Sequence, residues 1–349
     1  MDTWAKASKM KRCMRVGVNV TKRCNFRCKT CFYLHEEGFF TPTDEPTALI
    51  EDQIISAQNR GLDHAVIVGY GEPTLWPDLM RFVKFCKENG MKSSIITNGT
   101  APVKYYESLY ANGLDHLHIS VHGLGDTLNK IACNATAGDK QKEVLEWLKE
   151  SKLPWRSNTT LQLENYLEVP ETIDYIIDHG AAHIVLLGSL PHYGWFNKVR
   201  DVAVHPADLR LKIEPAMDAV IKANRWLTLR YHPMCHLRQD LWKYVTNANF
   251  VLLDPFEWCY NDSGTLSDAD LKIACKNLGD NVSIKTEPCV SCALQPHCGG
   301  WNAVYAAGFN GADLTSVPKS FVPEKSLTEF GYYWYQNPVN TEGRGHFAL

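Results

Sequence analysis

Two hydrophobic periods alternate along residues 14 to 190 of this chain. Short apolar runs, which are typical of buried strands, are separated by longer segments whose apolar residues recur with the helical period. The pattern predicts strands at 15–20, 65–68, 93–97, 116–121, 156–163 and 183–187. It predicts helices at 48–60, 78–89, 103–111, 140–151 and 169–179, several of them followed by a glycine that favours a helix end.

Six strands that alternate with helices favour an α/β fold with one parallel sheet and right-handed crossover connections. Ligands of such sheets bind at the carboxyl ends of the strands. The polar and glycine-rich segments of this chain follow the strands, at 21–31, 69–75, 98–99, 122–125 and 188–194. We therefore expect the functional site at that edge of the sheet.

The alternation fades after about residue 200. One further helix is predicted at about 206–224, and a region rich in tryptophan, cysteine and turn residues extends from 230 to 310 before a polar tail. The chain is therefore divided into a basic segment at 1–13, a sheet domain at 14–200, and a C-terminal extension with its tail at 201–349.

Composition excludes two broad classes of protein. The 349 residues are 45% hydrophobic and 21% charged, which is ordinary for a folded domain and excludes disorder for the bulk of the chain. No apolar run approaches the ~18–20 residues that a membrane helix needs. The net charge of −3 gives no overall basic field.

The charge is uneven, because residues 1–30 hold nine Lys or Arg against one acid, Asp2. A solvated tail is one interpretation of this basic stretch. The other is attraction for an anionic partner, such as a substrate phosphate, a nucleic acid or a reduced electron carrier. The sequence leaves both open.

Cysteine usage indicates metal chemistry rather than disulfides. Half of the twelve cysteines fall in two tight groups, first Cys24, Cys28 and Cys31, then Cys289, Cys292 and Cys298. No segment has the pattern of a signal peptide, so this spacing is typical of metal or cluster ligation in a reducing compartment. We expect a cytoplasmic protein.

The first group, Cys24-x3-Cys28-x2-Cys31, follows the first predicted strand directly. Three thiolates on one short loop can hold three irons of a 4Fe–4S cluster, which leaves the fourth iron open to a ligand. A zinc site would need a fourth protein ligand, and no fourth cysteine follows, although His35 is nearby. Structural zinc and clustered free thiols are the alternatives.

Beyond these cysteines, the strand ends resemble motifs of the radical S-adenosylmethionine (SAM) superfamily. Residues 18–31 are similar to its first strand and cluster loop. Gly69-Tyr70-Gly71-Glu72-Pro73 is similar to its GGEP segment, with Tyr70 where the family has a first glycine. Residues 97–99 and 119–123 resemble the ends of its third and fourth strands. In order and spacing, the resemblance covers about residues 14–190.

The resemblance implies a partial (β/α)6 TIM-type barrel and an enzyme. Its cluster would bind SAM through the open iron and, once reduced by a partner such as flavodoxin or ferredoxin, would cleave SAM to a 5′-deoxyadenosyl radical. That radical would abstract a hydrogen atom from an unactivated carbon of the substrate. The cofactors would then carry the chemistry, and the protein would orient the substrate.

The resemblance also implies which residues hold SAM. Gly71, Glu72 and Pro73 would hold its methionyl part, with the Glu72 carboxylate accepting a hydrogen bond from the ammonium group. Asn98 and Ser120 would lie near the ribose hydroxyls. A plain turn, or turn capping by short polar side chains, is the structural alternative at each of these strand ends.

Other residues around this edge have less definite roles. Thr30 stands where the family often has an aromatic residue near the adenine, and we include Tyr33, after the last cysteine of the loop, among the cofactor-binding residues. Asn158 and Gln162 on the fifth predicted strand face either the cofactor and substrate or the core. His122 is either an acid or base near the radical or a structural histidine.

The second group, Cys289-x2-Cys292-x5-Cys298-Gly-Gly, resembles the core of the SPASM and twitch extensions, which hold auxiliary iron–sulfur clusters in part of the superfamily. Asn302 stands where that pattern has a further cysteine, and no cysteine follows Cys298. The resemblance therefore implies one auxiliary 4Fe–4S cluster. A structural zinc knuckle that uses Cys298 or His297 is the alternative.

The fourth ligand of the auxiliary cluster would have to come from upstream. Cys235, Cys259 and Cys275 are the candidates. We select Cys259 because it lies on a hairpin-like strand and turn at 258–264.

The substrate class has two readings. SPASM-type extensions indicate modification of a peptide, or dehydrogenation or rearrangement of a small molecule, although the ~13 residues ahead of the first strand argue against a leader-binding domain. Modification of a nucleotide or nucleic-acid base is the alternative, favoured by the basic stretch and by aromatic residues that either stack bases or fill the core. A non-catalytic iron–sulfur or zinc module is the alternative of another class. The aromatic residues in question are Trp226, Tyr231, Trp242, Tyr244, Phe250, Phe256, Trp258 and Tyr260.

Overall fold

A computed structural model describes residues 15–31, 42–188, 199–246, 283–295, 298, 300–309 and 314–318. Within them, eight strands form one sheet in chain order, and every neighbouring pair is parallel. The first and last strands do not pair, so the sheet is an open barrel and the predicted α/β class is confirmed. The strands are β1 Arg15–Asn19, β2 His64–Val68, β3 Lys92–Thr97, β4 His116–Ser120, β5 Trp155–Thr160, β6 His183–Leu187, β7 Trp226–Arg230 and β8 Val245–Thr246.

Helices connect the strands and cover one face of the sheet. They are α1 Thr47–Asn59, α2 Leu79–Glu88, α3 Val103–Ala111, α4 Gly125–Ala132, α5 Ala137–Ser151, α6 Val169–Asp178 and α7 Pro206–Lys222. Five of the first six agree with the sequence prediction apart from their ends. Helix α4 was not predicted, because its eight residues are too few to establish a helical period. Cys133, in the left-handed conformation at φ 50°, separates α4 from α5.

The eight-stranded sheet contains two strands beyond the predicted six, β7 and β8. All five residues of β7 are buried, and β7 pairs with β6 in the register His183↔Trp226. From the sequence, Trp226 belongs to a group of aromatic residues that either stack bases or fill the core. The apolar pattern of β7 does not stand out there, because the strand has only five residues and turn residues follow it. The sheet therefore continues past residue 200, and the domain boundary predicted there stays a prediction.

Successive strand residues point to opposite faces of the sheet. One face, with Ile67, Ile119 and Leu186, packs on the helices in the main hydrophobic core. The other face lines the inside of the open barrel and is polar at its amino end. There Arg156 Nη2 lies 2.7 Å from His118 Nδ1, and burial holds the pKa of His118 well below its ordinary value.

The C-terminal region adds a smaller unit. Strands β9 (Ser283–Ile284) and β10 (Trp301–Asn302) pair antiparallel, and α8 (Ala303–Gly308) follows. The Trp301 ring stacks on the Tyr305 ring with centroids 4.6 Å apart, and the Tyr305 hydroxyl donates to the carbonyl of Val204. No helix in the described part of the chain is long and apolar enough to cross a membrane. The basic segment at 1–13, the hairpin at 258–264 and the polar tail apart from residues 314–318 lie outside the described residues.

Candidate active site

The loop that carries Cys24, Cys28 and Cys31, the cysteine loop, lies at the carboxyl end of β1. All three thiols line one cavity of about 360 Å³, together with Phe26, Tyr70, Leu75 and other residues. Burial raises the pKa of Cys24 to about 11 and that of Cys28 to about 12. Both are therefore neutral thiols at pH 7 until a metal displaces their protons.

The spacing of the thiols bears on which metal group they suit. Among the described residues, no three Cys, His, Asp or Glu side chains are arranged to hold a single metal ion. Each cysteine of a 4Fe–4S cluster binds a different iron, so its ligands surround a larger object than one ion. Three cysteines around one cavity match the ligand count of a 4Fe–4S cluster that keeps one iron open.

Helix α4 packs against the cysteine loop and holds it in place. Phe26 is buried against Leu128 and Ala132 of this helix, and Cys24 and Cys28 pack against the same apolar cluster. The Arg27 N–H donates to the Ala132 carbonyl at 2.8 Å. The helix that the sequence pattern missed is therefore part of the site.

The loop after β2 is in direct backbone contact with the segment that leads into the cysteine loop. The N–H groups of Gly71 and Glu72 donate to the carbonyls of Thr21 and Arg23, at 2.9 and 2.7 Å. A Cβ at Gly71 would lie 2.0 Å from the Arg23 carbonyl oxygen, so only glycine fits there. The glycine that the motif requires thus allows the two loops to meet.

Glu72 is buried at this junction, and its carboxylate is already used by its own chain. Oε1 accepts hydrogen bonds from the Thr74 N–H (3.1 Å), the Thr74 hydroxyl (2.7 Å) and the Thr97 hydroxyl (2.6 Å). Oε2 accepts from the Asn98 N–H at 2.7 Å. Burial raises the pKa of Glu72, while these hydrogen bonds favour its charged form. Glu72 therefore joins the end of β2 to the end of β3, and a SAM ammonium would be a fifth donor. Pro73 begins the short 3-10 helix Pro73–Leu75 that follows.

The Asn98 side chain connects the end of β3 to the cysteine loop. Its amide donates to Oδ1 of Asn25 at 2.7 Å, and its Oδ1 accepts from the Thr100 hydroxyl at 2.7 Å. Asn25 in turn donates to Thr100 Oγ1 at 3.0 Å. The sequence analysis assigned Asn98 to the ribose and did not single out Asn25, whose partners lie far away along the chain.

Gln141 joins the ends of β3 and β4. Its buried side-chain amide donates to the Asn98 carbonyl at 2.7 Å and to the Ser120 carbonyl at 3.1 Å. The sequence signal that could have found it is a polar residue on the apolar face of α5, between the buried Ala137 and Val144. Ser120 itself is partly exposed and pairs in register with Asn158.

The inner face of the barrel is polar and accessible where the strands end. Asn19, Ser120, Asn158, Thr160 and Leu187 are each only partly buried, in contrast to the fully buried residues before them. Just beyond β5, the Gln162 side chain is completely buried, and both its oxygen and its nitrogen are without a hydrogen-bond partner among the described residues. Such a group is costly unless a ligand completes it.

His122 follows β4 and is held in the neutral form. Its Nδ1 accepts a hydrogen bond from the Thr160 N–H at 3.1 Å, and burial lowers its pKa to about 4. Its carbonyl accepts from the Asn165 side chain at 2.6 Å. These contacts support the structural interpretation of His122 over an acid or base that titrates near pH 7.

The remaining predicted ligands are only partly described. Cys289 and Cys292 lie on one turn, with the Cys292 N–H donating to the Cys289 carbonyl at 3.2 Å. The Cys298 N–H donates to the Leu294 carbonyl at 2.8 Å. Tyr33 and Cys259 lie outside the described residues.

Comparison with known proteins agrees with this arrangement. The family model "Radical SAM superfamily" matches residues 18–176, which contain the cysteine loop and the ends of β2, β3 and β4. Residues 18–176 are therefore similar to a radical SAM domain. The chain is similar to the PqqA peptide cyclase of Methylorubrum populi, at 30% identity over 184 residues that make up 50% of this chain and 46% of that protein.

Two further similarities are to a second relative and to a solved structure. The probable GTP 3′,8-cyclase of Sulfurisphaera tokodaii is 30% identical over 177 residues, 49% of this chain and 54% of that protein. The chain thus spans about half the length of these relatives. The structure of Streptococcus suis SuiB bound to SAM superposes with a TM-score of 0.57 at 18% identity, over 86% of this chain and 76% of that one. At that identity the superposition establishes the fold alone, a partial barrel.

Proposed function

We propose that this protein is a radical SAM enzyme in which Cys24, Cys28 and Cys31 hold a 4Fe–4S cluster whose open iron binds SAM. The observation that carries the proposal is the convergence of these three thiols on one cavity, with the Gly71 turn against their loop. When bound, the cluster and SAM supply a 5′-deoxyadenosyl radical, which takes a hydrogen atom from an unactivated carbon of the substrate.

The chain's own residues position and shield these groups. Phe26 and Leu75 line the cavity and limit the water within it, and Tyr70 adds an aromatic surface for SAM. Arg27 Nη1 donates to the carbonyls of Cys24 and Phe26, at 2.8 and 2.7 Å, which fixes the backbone of the loop. Partly exposed Asn158 and Ser120 are placed to bind the ribose or the substrate.

The cationic rim of the cavity suits anionic groups. Lys22, Arg23 and Arg27 line it, and Arg23 and Arg27 are exposed. They can attract the SAM carboxylate and the acidic surface of a reduced electron carrier such as flavodoxin or ferredoxin. We place the enzyme in the cytoplasm, where thiols stay reduced.

A peptide is the substrate class that the structure and relatives favour. The partly exposed layer inside the barrel consists of amides, hydroxyls and Leu187, groups that bind a neutral peptide backbone better than a triphosphate. Of the four aromatic residues of this group that the structure describes, Trp226, Trp242 and Tyr244 are buried and fill the core, and only Tyr231 is partly exposed, so no run of aromatic side chains is open for stacking bases among them. The relatives named peptide cyclase, and SuiB with its precursor peptide SuiA, support the same choice.

A nucleotide is the second candidate, since a relative of equal identity is named a probable GTP 3′,8-cyclase. The two are separated by supplying reduced, reconstituted protein and SAM with either a pool of short peptides or GTP. We expect 5′-deoxyadenosine above the substrate-free level, and a peptide product of changed mass, only in the peptide arm. Turnover of GTP alone would overturn the peptide assignment and leave the radical SAM assignment intact.

A further inference from the structure

Cys235 lies beside the second cysteine group, which consists of Cys289, Cys292 and Cys298. It belongs to the short 3-10 helix Met234–His236, just after β7 at the carboxyl edge of the sheet. Burial, and after it the nearby sulfurs of the second group, raise the pKa of Cys235 to about 12. The three sulfurs of the second group therefore contribute to the electrostatic environment of Cys235.

Hydrogen bonding and packing bring the four residues together in the same way. The backbone of Met234, the residue before Cys235, is hydrogen-bonded to the Cys298 sulfur. Cys235 and Cys289 pack against the apolar cluster that contains Trp301. Cys235 also packs, with Cys292 and Cys298, against the main core. Cys235 therefore lies where the C-terminal unit meets the barrel.

Each of the four sulfurs has a hydrogen-bonding group beside it. The N–H groups of Gly300 and Val317 donate to the sulfurs of Cys298 and Cys292, each at 3.4 Å. The Thr315 backbone is hydrogen-bonded to Cys235, and the Thr286 hydroxyl lies 3.9 Å from the Cys289 sulfur. Donors of this kind stabilise ligating thiolates and set the potential of an iron–sulfur cluster.

Gly300, two residues after Cys298, fixes the loop in this position. Gly300 has φ +83°, and a Cβ there would lie 2.1 Å from the Ile284 carbonyl oxygen. Only glycine allows this close approach to β9. The N–H of the same residue is the donor to the Cys298 sulfur, so backbone geometry and thiolate stabilisation depend on one position.

We infer that Cys235, Cys289, Cys292 and Cys298 form one ligand set for a second 4Fe–4S cluster, with Cys235 as its fourth ligand. Cys235 takes the place for which the sequence favoured Cys259. A zinc ion, which would lie ~2.3 Å from each of the four sulfurs, is the alternative occupant that metal analysis distinguishes. The inference rests on the proposed function only in assuming iron–sulfur chemistry.

The test uses a chain in which Cys24, Cys28 and Cys31 are all replaced by Ala, so that any iron belongs to the second site. After anaerobic reconstitution this background should contain about four irons, as one cubane requires. Adding Cys235→Ala should lower the retained iron at least about twofold and change the electron paramagnetic resonance (EPR) spectrum of the reduced protein. Adding Cys259→Ala, or Cys86→Ala as a buried control, should change neither.

Cys235→Ser covers the case in which the Ala variant does not fold, because an oxygen ligand would shift the EPR signal of an intact cluster. Full iron and an unchanged spectrum in folded Cys235→Ala and Cys235→Ser proteins would overturn the inference, as would zinc in the background chain. Loss of iron with Cys259→Ala instead would return the ligand to that residue. If the background keeps its four irons while the native chain never cleaves SAM, the proposed function fails and the second site stands.

Discussion

The side-chain amide of Asn98 donates a 2.7 Å hydrogen bond to Oδ1 of Asn25 and so joins the carboxyl end of β3 to the cysteine loop. Asn25 lies between Cys24 and Cys28, and its own amide donates to Thr100. Glu72 binds the backbone of Asn98 from the other side. The cysteine loop is thereby placed relative to two strand ends by side chains, in addition to its contact with the Gly71 turn.

Replacing Asn25 with Ala tests whether this bond positions the cluster loop. The variant loses two hydrogen bonds, which is worth about 1–3 kcal/mol and about 5–150-fold in SAM affinity. We expect normal iron content, weaker SAM binding and a diminished change in the EPR spectrum of the reduced cluster on adding SAM. Asn112→Ala, which removes one bond at the far end of α3, is the matched control. Parental affinity and spectrum in the Asn25 variant would contradict the positioning role.

Replacing Glu72 with Gln tests the role of its carboxylate. The Glu72 carboxylate accepts four hydrogen bonds. In the Gln variant an NH2 group would replace one carboxylate oxygen and would face at least one N–H or O–H donor that now binds that oxygen. We expect the free energy of unfolding of the metal-free protein, measured in urea, to fall by about 1.5–3 kcal/mol. The SAM dissociation constant should rise about 10–150-fold with iron content unchanged.

The exposed Glu107→Gln is the control for this substitution. A loss of SAM affinity without any loss of stability would assign Glu72 to the ammonium of SAM alone. Unchanged affinity with a large loss of stability would make the turn purely structural.

Replacing Gln162 with Met tests whether this residue contacts the ligand or only packs in the core. Its buried amide has no partner among the described residues, so the methionine variant Gln162→Met, of similar shape, removes an unsatisfied polar group. We expect stability in the absence of substrate to stay level or rise by about 1–3 kcal/mol, while KM for the peptide substrate increases. Gln58→Met should instead destabilise, because the Gln58 amide donates to the Asn89 carbonyl. Unchanged KM would exclude Gln162 from the binding surface.

The lowered pKa of His122 predicts that acid reduces the stability of the folded protein. Its pKa falls from about 6.5 in the unfolded chain to about 4 in the folded one, so the unfolded chain binds the proton first as the pH drops. This contribution to stability is intact above pH 6.5 and is lost between pH 6.5 and 4, by about 3 kcal/mol at most. His122→Asn keeps an acceptor for the Thr160 N–H and removes the titration.

The free energy of unfolding, measured at pH 4, 5.5 and 7, tests this effect of His122. The Asn variant should lose less stability on acidification than the native chain. An identical pH dependence in the two proteins would contradict the account, because it would mean that folding does not change the pKa of His122.

The sequence predicted well what depends on local patterns. The six strands from β1 to β6 follow from apolar periodicity, and the need for glycine at Gly71 follows from its motif. The role of that glycine is nevertheless set by the Arg23 carbonyl, on another loop. Periodicity also missed α4, whose eight residues give too short a window, although this helix carries the contact that buries Phe26.

Contacts between distant parts of the chain could not be predicted in the same way. Neither Asn25 nor Cys235 belongs to a local motif, and each acquires a role only when the fold brings it beside a motif residue, Asn98 or Cys298. Glu72 is a similar case, since the motif suggested a free carboxylate and the fold surrounds it with four donors. Polar residues on an apolar helix face, such as Gln141, are the local signal that most nearly indicates these contacts.

The central claim is that the cysteine loop holds the cluster that cleaves SAM. Its most direct test is the release of 5′-deoxyadenosine by anaerobically reconstituted protein with dithionite and SAM. We predict release by the native chain and by the buried control Cys86→Ala, and none by Cys28→Ala with an unchanged circular dichroism spectrum. Release at the native rate by folded Cys28→Ala, or no release by an iron-loaded native chain, would contradict the account.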